Sequence, residues 1–224
     1  MIEPAFLGAA HFFVGCVAVI AGFAAFAVRK GSFIHRSAGM VFLVSMTLLV
    51  FSGLWLSIAR NILFTVFLSL IALHSFASGW AAAAKVNPFG RMITKISPVA
   101  SAGIMVGAVI GGFMAAASPG GMLNDLPPSA FYTLAIVAAL LFLFDFTYTR
   151  FHAPSEQRRL TRHGWRMGFS FFLATGIFFL GNNHVLPEIL RAPVILVTPI
   201  LAVVIWTLYY AVKARFSTLG LTRN

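Results

Sequence analysis

Charge is scarce in this chain. Only 9% of its 224 residues are Asp, Glu, Lys or Arg, against 60% hydrophobic residues and a mean hydropathy of +0.94. A soluble domain cannot cover its surface with so few charges, so the composition is that of an integral membrane protein. Cysteine is scarcer still. A lone Cys16 excludes a disulfide framework, a CxxC pair and covalent c-type haem attachment. There is no Walker loop, HExxH zinc motif, nucleophile elbow or dinucleotide-binding glycine pattern, which sets soluble-enzyme chemistry aside. Polar and apolar residues do not alternate, and without that alternation the strands of an outer-membrane barrel are excluded.

What the chain does have is long apolar runs. A membrane-spanning helix needs roughly 20 apolar residues, because each rises about 1.5 Å across about 30 Å of hydrocarbon. Seven runs meet this: Pro4 to Val28, Gly39 to Ala59, Ile62 to Ala84, Val99 to Ala117, Ala130 to Tyr148, Trp165 to Asn183 and Val194 to Val212. The expected fold is all-α, a single polytopic bundle of seven transmembrane helices over residues 1–224, with no separate soluble domain in the short connectors.

The cations orient it. Of sixteen Lys and Arg, fourteen fall in alternate connectors and the tail: Arg29, Lys30 and Arg36; Lys85, Arg91 and Lys95; Arg150, Arg158, Arg159, Arg162 and Arg166; Lys213, Arg215 and Arg223. Only Arg60 and Arg191 lie on the other side. The positive-inside rule then places the N-terminus outside and the C-terminus in the cytoplasm. The net charge of +11 reads as a cytoplasmic face meeting anionic lipid, with no implication of nucleic acid. Ala25-Phe26-Ala27 looks like a signal-peptidase site, but no basic segment precedes it and cations follow it, so no cleavage is expected.

Small residues mark where helices meet in lipid. The spacing predicts seams at Gly103, Gly107 and Gly111, at Ser75, Gly79 and Ala83, and at Gly8, His11, Gly15, Ala18, Gly22 and Ala25. His11 therefore points into the bundle. His35 and His163 are each expected at the cytoplasmic start of an outward-running helix. There the helix dipole disfavours imidazolium and leaves the neutral ring that ligates metals, so both are metal candidates. His163 begins a stripe through Met167, Ser170, Ala174, Ile177 and Gly181 to His184, about 31 Å along a regular helix. His74 lies mid-helix and His152 in a basic loop. Asp145 is the one acid inside an apolar run, and an intramembrane carboxylate is functional by default. It reaches the basic surface, pairs with Arg150, or orients a ligand histidine, with His35 and His163 matched to it in depth.

The stretch from His11 to Met46, "HFFVGCVAVIAGFAAFAVRKGSFIHRSAGMVFLVSM", resembles the first hairpin of an uncharacterised bacterial membrane-protein family, domain of unknown function 2306. The residues that carry the likeness are His11, Lys30 with Gly31, His35 with Arg36 and Gly39, and Met46. A second element, His163 followed by Met167, is similar to the family's later motif. The resemblance implies a bacterial inner-membrane location and no established activity. Members often have four helices, so the fourth and seventh helices here depart from that pattern.

Three classes of function follow. One is electron transfer with a quinone through haem b, with His11, His35, His74, His163, His184, Met46 and Met167 as candidate ligands and Asp145 behind them. Another is a proton-coupled small-solute transporter in which Asp145 and His74 form a relay. The last is a non-catalytic assembly partner whose histidines tie helices together. The sequence leaves oligomeric state open.

Overall fold

In the computed structural model the described residues are 4–84, 87–150, 154–181 and 185–216. They form seven α-helices: α1 Pro4–Ala27, α2 Phe33–Ala59, α3 Leu63–Ala83, α4 Pro88–Ala117, α5 Pro128–Thr149, α6 Glu156–Gly176 and α7 Pro193–Phe216. A π-helical turn, Ile177–Gly181, continues α6, and 3₁₀ turns occupy Pro119–Gly121 and Glu188–Leu190. Among the described residues the sole β pairing is an isolated bridge between Leu123 and Leu126 in the α4–α5 loop.

Three helices begin well before their apolar runs, because polar caps start them. Ser32 Oγ accepts from the His35 backbone N–H at 3.1 Å, Asn87 Oδ1 from Phe89 N–H at 2.9 Å, and Ser155 Oγ from Arg158 N–H at 3.3 Å. The basic connectors are thus largely helical, and α2, α4 and α6 carry their first turns beyond the apolar stretch. His163 consequently sits two turns inside α6, beyond the reach of the helix-start dipole expected for it. The α1–α2 turn closes at Gly31, whose φ of 78° would strain any side chain.

Six helices, α1 to α5 and α7, are long and apolar enough to cross a membrane. The exception is α6, where Arg158, Arg159, Arg162 and Arg166 interrupt the apolar character. It is nevertheless central. It packs along α3, and the two form a spine: α4 and α5 lie on one flank, α1 and α2 on the other, with α7 against α6.

Each flank has its own core. Phe67, Ile71, Ile104, Phe131 and Leu141 fill the α4–α5 side, while Ala18, Phe42, Met46, Phe76, Phe171 and Val203 fill the other.

The glycine seams are partly as expected. A Cβ on Gly107 would lie 2.8 Å from a Phe67 ring carbon, and one on Gly111 2.8 Å from Phe131. Gly103, though in the same spacing, is exposed with nothing within 4 Å, because the seam turns instead through Gly112 onto Tyr132. On α1, Gly22 receives the Phe171 ring and Gly15 faces Phe178. On α3, Ser75 and Gly79 are buried and Ala83 is exposed.

Lys30 does more than set topology. Its Nζ donates to the carbonyls of Ala25 at 3.0 Å and Phe26 at 2.8 Å, closing the end of α1, and sits 4.4 Å from the Tyr210 ring centre on α7. Partial burial pushes its ammonium pKa below the usual lysine value.

Candidate functional site

The most polar place in the bundle is a cluster on the α4–α5 flank of the spine, and it starts with a proline. Pro98 in α4 has no N–H, so the Thr94 carbonyl loses its helical donor. Ser97 Oγ supplies one instead, at 2.9 Å. With its only proton committed there, Ser97 accepts from Arg162 Nη2 at 3.1 Å. One turn on, Ser101 Oγ lies 2.9 Å from the Ser97 carbonyl and 3.2 Å from Asp145 Oδ2.

Asp145, on α5, is fully buried and collects donors from three other helices. His74 Nε2 on α3 lies 2.6 Å from Oδ2. Arg162 Nη2 on α6 lies 2.8 Å from Oδ1, and Arg166 Nη2 pairs with the same oxygen while also donating to the Leu141 carbonyl at 3.3 Å. Two guanidinium donors on one oxygen and the imidazole on the other match the ionised, acceptor-only carboxylate, which assigns a His74 proton to Nε2. Arg162 and Arg166 are 3% and 0% exposed. Both guanidinium planes also use aromatic faces, Arg162 at 4.1 Å from the Tyr148 ring centre and Arg166 at 4.3 Å from that of Trp165.

Two expectations are corrected here. Asp145 pairs with neither Arg150 nor a candidate ligand His35 or His163; its partners are His74, Ser101, Arg162 and Arg166. Arg162 and Arg166 are not solvated topology charges, because α6 starts early enough to carry them into the bundle. The sequence held a signal for both: Arg162, Arg166 and Ser170 recur every four residues, a polar stripe on one helical face. Ser97 and Ser101 around Pro98 carried a weaker one.

The other candidates lie on the opposite flank. His35 Nδ1 donates to the Ala25 carbonyl at 3.0 Å, and His163 Nδ1 to the Gly79 carbonyl at 3.0 Å. Each neutral ring then keeps its lone pair on Nε2. Met167 packs its sulfur against Gly79, and Met46 is buried beside Phe42 and Phe171.

His11 Nδ1 lies 2.8 Å from Ser52 Oγ, whose proton goes to the Leu48 carbonyl at 2.6 Å, so His11 is the donor. His11 and Met46 both line a mainly apolar cleft of about 710 Å³ between α1, α2, α3 and the π turn, with Arg60 at its rim. That turn departs from the regular α-helical register at Ile177–Gly181, within the His163 stripe. His184 and His152 themselves lie outside the described residues. Among the described residues no three His, Cys, Asp or Glu side chains gather as a metal site.

Comparison with family models, curated proteins and solved structures gives no match, so the site stands on its own chemistry.

Proposed function

We propose that this chain is a proton-coupled transporter of a small solute, crossing a bacterial inner membrane seven times with its N-terminus outside and its basic connectors facing anionic lipid in the cytoplasm. The observation that carries this is the 2.6 Å contact of His74 with Asp145 inside a bundle of apolar helices. Ionisable groups are expensive there and persist where they move charge. One carboxylate joins α5 to α3, α4 and α6. A proton arriving on Asp145 would abolish both arginine pairs together and loosen α5 from the spine, so protonation and helix movement are linked through one atom group. The π turn in α6 and Pro98 in α4 are the irregular backbone that such movement uses. The test is purified protein in vesicles with an internal pH dye. Acetate, chloride, glycine and glucose are added in turn under an imposed pH gradient. Flux of protons with one of them, lost in Asp145→Asn and in His74→Ala, supports the reading, and no solute-dependent proton flux with any of the four sinks it.

A second reading rests on a separate observation. His35 and His163 both direct Nδ1 to backbone carbonyls, the arrangement that fixes a histidine for metal ligation through Nε2. We propose them as ligands of haem b, exchanging electrons with a quinone. Protein from haem-replete cells would then show a Soret band that His35→Ala or His163→Ala abolishes, and a colourless protein after haem titration rejects it. The likeness to family 2306 stays a proposal beside both readings.

A further inference from the structure

The cluster around Asp145 does not balance. Two charged guanidinium groups, Arg162 and Arg166, face one carboxylate, and His74, the other donor to it, adds no negative charge. Among the described residues the other acids do not help: Asp125 and Glu188 stand in the loops at the far ends of the helices, and Glu156 is exposed at the start of α6. Three guanidinium nitrogens, Arg162 Nε and Arg166 Nε and Nη1, are buried without a hydrogen-bond partner among the described residues. An interior carrying an excess positive charge and three nitrogens with unused N–H groups is complementary to one negative charge. The Tyr148 and Trp165 ring faces soften the surplus through their quadrupoles, but a ring face cannot accept these in-plane N–H groups at full strength.

We infer that Arg162 and Arg166 form a binding site for a small monovalent anion, a halide or short carboxylate. The inference rests on the transport reading for its purpose, since it names the solute class, but its evidence is the charge imbalance and the orphan donors. Anion and proton then travel as a neutral pair, which is the cheapest form in which charge crosses hydrocarbon.

Binding is tested apart from transport, on purified full-length protein in detergent. Thermal midpoints are measured in sodium chloride, acetate and gluconate at equal ionic strength, the bulky gluconate serving as the excluded anion. The expected result is a midpoint that rises with chloride or acetate relative to gluconate, a rise absent in Arg166→Gln. Asp145→Asn should enlarge it, because removing the carboxylate doubles the excess charge; the wild-type rise itself is what a purely structural ion pair would not give. If Arg166→Gln does not fold, iodide quenching of fluorescence in wild type against Trp165→Phe replaces it. Saturable quenching confined to the protein that retains Trp165 supports the site. Indistinguishable anion responses of wild type and Asp145→Asn, with linear quenching that is equal in the two proteins, overturn it. Anion binding without proton flux would sink the transport reading and leave this site standing, and proton-coupled flux of a neutral solute without anion binding would do the reverse.

Discussion

His74 and Asp145, 71 residues apart in the chain, meet at 2.6 Å where no water reaches the carboxylate. The pair is the point where α3 and α5 touch through polar atoms, and two arginines from α6 complete it. Asp145→Asn therefore leaves both guanidinium groups without their counter-charge. Breaking a buried pair by removing one partner costs about 3 to 5 kcal/mol, so the thermal midpoint in gluconate should fall strongly. His74→Gln, which keeps a donor, should lose much less. Differential scanning of the two variants checks the order, and equal losses would mean that the arginines are not held by Asp145.

The place of α6 is open to a direct test. Reporters inserted after Pro154 and at Glu188 flank this helix and its π turn. If the helix crosses despite its arginines, the first reports the cytoplasm and the second the outside. Activity on one side for both would make α6 a buried element that does not span.

Two glycines four residues apart should behave oppositely. Gly107→Leu drives atoms into Phe67, already 2.8 Å from a Cβ at that position, and overpacking of this kind costs about 1 to 3 kcal/mol. Gly103→Leu enters open space on the exposed face and should leave the melting temperature unchanged.

Removing single connector cations should also divide them. Arg29→Gln is expected to be neutral, since an isolated exposed charge contributes little. Lys30→Gln removes the donor to Ala25 and Phe26 and the contact with Tyr210, and should lower stability by about 0.5 to 1 kcal/mol, with α7 proteolysed faster. Equal protease sensitivity of the two variants would show that Lys30 does not hold α7.

Much of this protein follows from its sequence by itself. Runs of about 20 apolar residues with few charges can only be helices that satisfy their own backbone, so the helix number and the approximate bounds of α1, α3, α5 and α7 were legible. Glycine and small-residue spacing showed most of the close approaches, because period 3.6 is a local property. What the sequence could not decide is which polar groups meet. Asp145 had cations and histidines at comparable depth on several helices, and depth alone does not choose among them. The choice came from the spine. Packing of α6 against α3, with α4 and α5 on one side, turned Arg162 and Arg166 inward and left His35 and His163 on the other flank. The early start of α6 at its Ser155 cap carried two arginines, read in the sequence as connector charges, into the interior, where only a carboxylate from another helix could hold them.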